Sequence, residues 1–142
     1  MLELAHYEWV ELVLSISTHA PDWNGIDSEG SLLEQHPVLN PVLANLCYRW
    51  PVHRIGPRAR ITAKETYLLV FRDTGDRMQF TEINTFTSRL ISLLETTECT
   101  GQAAIEIVAA ESRHPSPEIV IQGGLAVMRD LQVRGALLGV LR

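Results

Sequence analysis

Five histidines and two cysteines are the residues of this 142-residue chain best suited to bind a metal or move a proton. His6, His19, His36, His53 and His114 lie far apart, without an i,i+4 pair or a His-Glu-x-x-His run. Their spacing therefore predicts no zinc site. Cys47 and Cys99 have no CxxC partner, a pattern that predicts two reduced thiols. Serines are present without a nucleophile elbow. The pair Gly123-Gly124 falls inside a helical stretch rather than between a strand and a helix, so it is no phosphate loop. These absences predict a protein that is not an enzyme and that carries no cofactor or metal.

Charge is the stronger chemical signal. The net charge of −5 conceals a sharp asymmetry. Residues 1–48 hold seven acids and no Lys or Arg, whereas residues 49–77 hold Arg49, Arg54, Arg58, Arg60, Lys64, Arg72 and Arg77 against three acids. Such a strip is either a solvated basic loop or a positive surface for an acidic partner. No apolar run approaches the roughly 20 residues of a membrane span, and the N-terminus has no basic n-region. A cytoplasmic protein without a membrane partner is expected.

The elements that must position these residues follow from periodicity. Leu2, Ala5, Trp9, Leu12, Val13 and Ile16 recur at helical spacing, which predicts a helix over 2–17. Tyr7, Val10 and Leu14 spread apolar surface round its girth, so the helix should pack on two sides, such as a core and a second domain or partner. Trp9 is expected inward and Tyr7 outward, with Trp9→Ala costing roughly 3–5 kcal/mol. Pro21, Asn24-Gly25 and Glu29-Gly30 mark an irregular stretch. Pro37, Pro41 and Pro51 make residues 37–56 extended, with a strand over 42–50, and 57–63 reads as an exposed basic loop.

Tyr67–Arg72 is the clearest strand. Asp73-Thr-Gly-Asp76 turns it, with Gly75 able to take positive φ, and 77–82 returns. Tyr67, Leu69 and Phe71 on one strand, and Met78 and Phe80 on the other, are expected on the side facing the helices. Asn84, Thr100 and Ser116-Pro117-Glu118 then start three helices, and Gly135 stops the third. Gly123-Gly124 within it suggests close approach of another backbone, or mere tolerance. Residues 136–141 can return as a strand.

The fold class is therefore α+β: an N-terminal helix, a small antiparallel sheet with a hairpin, then a three-helix unit resembling a winged helix. One domain is expected, divided into a helical arm and loop (1–36), an antiparallel sheet (37–83) and a three-helix unit with a terminal strand (84–142). Its hairpin precedes the helices, where a winged-helix DNA reader places it after them. The third helix also opens on Pro117-Glu-Ile-Val-Ile-Gln122, without a base, so nucleic acid is an unlikely partner and a winged-helix transcription regulator is the alternative reading.

Three separated stretches carry a resemblance. Leu4-Ala-His-Tyr-Glu-Trp-Val-Glu-Leu12, Tyr48-Arg-Trp-Pro-Val-His-Arg-Ile55 and Tyr67-Leu-Leu-Val-Phe-Arg72 resemble the C-terminal half of the HvfC/BufC family. That family was first labelled DNA-binding and is associated with maturation of ribosomally made, post-translationally modified peptides. Its members usually carry a further N-terminal helical domain, which this sequence is expected to lack. The resemblance implies a non-catalytic partner of a multinuclear iron oxidase that converts peptide cysteines, with the precursor leader as the second partner.

The sheet-then-helices order is also similar to the PqqD-like recognition element, in which a leader peptide adds a strand to an open edge beside the third helix. Carried onto this chain, the edge strand is 77–83 and the third helix is the groove wall. The peptide-binding residues are then Arg77, Gln79, Thr81, Ile83, Gln122 and Arg129, with Arg72 and Arg77 steering an acidic leader. Thr81 is expected to turn its N–H outward. Tyr7, Arg49, Arg54, Arg58 and Arg60 are the expected docking residues for the oxidase.

Overall fold

The computed structural model describes residues 2–18, 23–48, 66–73, 75–113 and 115–141. The expected basic loop, and with it Arg49, Arg54, Arg58 and Arg60, lies outside the described residues. The architecture is α+β. Helix α1 (Leu2–Ser15) is followed by a short 3-10 turn (Trp23–Gly25) and strands β1 (Ile26–Asp27), β2 (Pro37–Leu39), β3 (Leu43–Tyr48), β4 (Thr66–Arg72) and β5 (Met78–Ile83). Helices α2 (Thr85–Thr96), α3 (Gly101–Glu111) and α4 (Pro117–Arg134) come next, and β6 (Leu137–Leu141) closes the order.

The described strands of residues 37–83 divide between two antiparallel sheets rather than forming the one expected. One sheet has the order β1-β6-β2 and the other β3-β4-β5. The divide falls at Asn40, which is buried. Its Nδ2 donates to the carbonyls of Arg72 (2.6 Å) and Gly135 (2.9 Å), and its Oδ1 accepts from Val42 N–H (2.8 Å). Its own N–H donates to Ala136 (2.9 Å). One amide side chain thus ties the end of β4, the start of β3 and the end of α4. A short polar residue between two prolines looks like loop, so nothing in the sequence pattern distinguishes it.

Strand β4 is apolar at almost every position because both of its faces are covered. Leu69 and Phe71 join Leu90, Ile91, Leu93 and Leu94 of α2, Ile105 and Val108 of α3, Met128 and Leu131 of α4, and Leu137 and Val140 of β6 in the main core. Each such side chain contributes about 1.5–3 kcal/mol when fully buried. Leu68 and Tyr48 point to the opposite face and meet Leu4 and Tyr7 of α1.

The faces of α1 are the reverse of the expectation. Tyr7 and Val10 turn to the sheet, while Trp9, Leu12, Val13 and Ile16 are exposed. The two apolar sets are alike in hydropathy, and the sheet takes the one that holds the Tyr7 ring against Tyr48 and Phe80, at centroid distances of 6.4 and 6.0 Å. The expected stability effects therefore change places. Trp9→Ala should leave the thermal midpoint nearly unchanged, whereas Tyr7→Ala should lower stability by about 2 kcal/mol, measured by urea unfolding.

Asn84 and Thr100 cap α2 and α3, accepting from Thr87 N–H (2.8 Å) and Ala103 N–H (3.1 Å). Helix α4 starts where expected, with Pro117 in its first turn, although Ser116 makes no side-chain capping bond. Gly135 ends α4 at φ 95°, a left-handed stop that glycine takes without a Cβ clash. The start of α3 is seated on the 31–35 loop, with Gly101 N–H donating to Gln35 (3.2 Å) and Gln102 N–H to Leu33 (3.0 Å). A Cβ on Gly101 would collide with the Leu32 carbonyl.

The glycine pair in α4 resolves unequally. A Cβ at Gly124 would come within 2.6 Å of Ile105 Cδ1, while one at Gly123 would meet nothing within 4 Å. The close neighbour of Gly124 is thus a side chain rather than a backbone. Gly123→Ala should raise helix stability by up to about 1 kcal/mol, and Gly124→Ala should show no such gain because Ile105 must move. Paired thermal melts of the two variants check this.

Candidate functional site

The β4–β5 hairpin turns through Asp73–Arg77. Asp76, not Gly75, takes the left-handed conformation, at φ 61°. The Asp73 carboxylate organises the turn by accepting from Gly75 N–H (2.9 Å), Arg77 N–H (3.0 Å) and Gln79 Nε2 (2.8 Å). These donors, the Arg77 N–H foremost, hold the Asp73 carboxyl below its ordinary pKa, so it stays ionised. Aspartate and asparagine tolerate positive φ better than most residues, which lets the turn place its strain at Asp76.

The turn sets the register of β5: Phe71 pairs with Gln79, Val70 with Phe80 and Leu69 with Thr81. Met78 and Phe80 consequently lie on the α1 side of the sheet, opposite Leu69 and Phe71. The expectation that they face the helices is corrected by this register. In an antiparallel ladder, alternate residues point both backbone polar groups to one neighbour. Asp73 N–H donates to Arg77 O (2.9 Å), so 77, 79, 81 and 83 turn inward to β4. Thr81 therefore gives its N–H to β4, contrary to expectation, and Met78 and Phe80 are residues whose N–H groups face out.

No described strand pairs with that outer edge; β6, the candidate to close it, lies between β1 and β2 instead. Phe80 is 40% exposed and leans on Tyr7, which makes an aromatic shelf beside the edge. Gln79, Thr81 and Ile83 occupy the other face, with Ile83 packed on the main core. On the opposite side of this sheet, Asn45 of β3 is bound to α2 through Ser88, at 2.9 and 3.1 Å.

The remaining expected site residues are not gathered here. Helix α4 packs on α3 and β6, so it does not wall the β5 edge. Gln122 is exposed on the first half of α4. Arg129 borders a cleft between α4 and residues 28–33. Arg77 instead lines a cleft of about 400 Å³ with Trp23, Asp73 and the end of α4. Arg72 does not point outward to steer a ligand; its Nη1 donates to the carbonyls of Leu14 (3.5 Å), Ser15 (3.4 Å) and Ser17 (2.7 Å) at the end of α1.

Under α1, the Tyr48 hydroxyl meets His6 Nδ1 at 2.6 Å. Burial, aided by Glu3 and Tyr7, pushes the Tyr48 phenol up to about 12. The fold holds the neutral phenol, so this contribution is complete below pH 10 and is lost as pH rises toward 12. Ultraviolet titration should show one tyrosine, Tyr48, ionising near pH 12, with unfolding free energy falling over the same interval.

Among the described residues, no group of His, Cys, Asp and Glu is placed to hold a metal ion. No described helix is long and apolar enough to cross a membrane. Residues 40–132 match the family described as the HvfC C-terminal domain. The chain belongs to that family. The matched span runs from Asn40, the residue that joins the two sheets, to the last turn of α4, and so includes the hairpin and its open edge. None of the curated proteins matches the chain.

Proposed function

We propose that the protein is a non-catalytic accessory factor in the maturation of a ribosomally made, modified peptide. It captures the leader of the precursor as an added strand on β5 and presents it to a multinuclear iron oxidase that modifies peptide cysteines in the cytoplasm. The observation that carries this reading is the outward-facing edge at Met78 and Phe80 in a chain of the HvfC family. An unpaired edge offers alternating N–H and C=O groups, and an extended peptide satisfies them with little side-chain specificity. Register would then come from the two flanks: the Tyr7–Phe80 shelf for one set of alternate side chains, and Gln79 and Thr81 for the other.

The test is amide exchange by NMR on isotope-labelled protein, with the precursor leader encoded beside it and a scrambled leader. The leader should protect the N–H groups of Met78 and Phe80 from solvent, and the scrambled peptide should protect them less. Binding that leaves both amides in fast exchange, or no binding even with the oxidase present, would remove the β5 edge from this role.

A further inference from the structure

Among the described residues, the outer face of α1 gathers four exposed apolar side chains that the peptide-binding reading leaves unused. Trp9, Leu12 and Ile16 are 59%, 58% and 69% exposed, and Val13 is exposed beside them. Their i, i+3, i+4 and i+7 spacing makes one continuous stripe along the helix. Single exposed apolar residues are ordinary, but a clustered stripe with a tryptophan marks an interaction surface. The helix is held firmly for that purpose: Tyr7 and Val10 pack on the sheet beneath it, and Arg72 clasps its final carbonyls.

Charge selects the occupant. Glu8 lies one turn before Leu12 on the exposed side, and Glu11 lies beside Tyr7 on the sheet side. Residues 1–48 contain no Lys or Arg to offset them. Two copies packed through this stripe would bring two acidic helices together with no Lys or Arg on either to pair with Glu8. Anionic lipid headgroups would be repelled for the same reason. We propose that the outer face of α1 docks an amphipathic helix of a partner protein whose apolar stripe is bordered by Lys and Arg. Apolar side chains supply the affinity and Glu8 at the border supplies orientation and on-rate.

The test uses the full chain with Trp23→Phe and Trp50→Phe, so that Trp9 alone reports. A synthetic helix of about 18 residues with leucines on one face and lysines on the other is titrated against it. Saturable one-to-one binding with a blue shift of Trp9 is expected, and the same peptide with glutamates in place of lysines should bind at least tenfold more weakly. The double variant Leu12→Asp/Ile16→Asp should abolish binding of the lysine helix while keeping the parent melting temperature. It makes the protein more acidic, so loss of binding separates the apolar face from general charge attraction. Glu8→Lys should weaken the lysine helix and admit the glutamate helix.

Unchanged affinity in the aspartate variant overturns the proposal. So does sedimentation equilibrium showing a dimer that the aspartate pair disperses, since a second copy would then cover the face. Partition onto phosphatidylserine vesicles that the same pair abolishes would assign the face to lipid and overturn it equally. The β5 edge enters none of these readouts.

Discussion

Met78→Pro is expected to abolish leader binding while the protein stays folded, and Thr81→Pro is expected to do the reverse in kind. Met78 turns its N–H away from β4, so proline there removes a donor that only an added strand would use. Loss of the edge should reduce affinity by two orders of magnitude or more, because a proline also obstructs the neighbouring ladder positions. Thr81 turns its N–H to Leu69 within the sheet, so proline there strands a buried carbonyl and costs about 2 kcal/mol or more. Thermal melts and leader titrations on both variants separate the outcomes. A folded Met78→Pro protein with parent affinity would exclude the edge.

Asn40→Leu should be the most damaging single substitution outside the apolar core. It keeps the branched shape and removes every polar contact of the side chain. The buried N–H of Val42 and the half-buried carbonyls of Arg72 and Gly135 would all lose this amide. At about 1–3 kcal/mol for each buried group left unsatisfied, the loss is on the order of 4 kcal/mol even after partial relaxation. Asn40→Asp should be nearly as harmful, since a carboxylate cannot donate to the two carbonyls. Chemical unfolding measures both, and a loss below about 1 kcal/mol would show that water replaces the amide.

The contrast between α1 and the hairpin explains which features the sequence makes legible. The elements were readable because caps and periodicity are local: Asn84, Thr100, Pro117 and Gly135 sit where the helices begin and end. Facing was not readable where two apolar sets compete, as with Trp9 against Tyr7. Strand parity failed for a related reason. The turn after Asp73 fixes the register, and that register puts the polar Gln79 and Thr81 on the helix side and Phe80 on the other. Hydropathy alone would have slid the strand by one residue, which inverts every side chain.

Long-range placement was the least legible. Strand β6 was visible as a strand, but its neighbours, β1 and β2, are two short pieces of an irregular, proline-marked stretch. The expected groove of β5 and α4 failed with it, because α4 follows β6 to the other sheet. Asn40 carries the same lesson: its partners at 72 and 135 are remote in sequence, and an amide among prolines gives no hint of them.

The central position of β6 also has a consequence for the order in which the protein can be made. On the ribosome, β1 and β2 emerge early, yet the strand that joins them follows all three helices of the second half. Until then their edges are exposed to other chains, whereas the β3–β4–β5 meander can close on itself as soon as it leaves the tunnel. Synthesis thus delivers the hairpin sheet before β6 exists and leaves the stretch before it waiting for a partner made only after α4. In that interval a chaperone, or a neighbouring nascent chain, competes for the same backbone groups that Leu137–Leu141 will finally occupy.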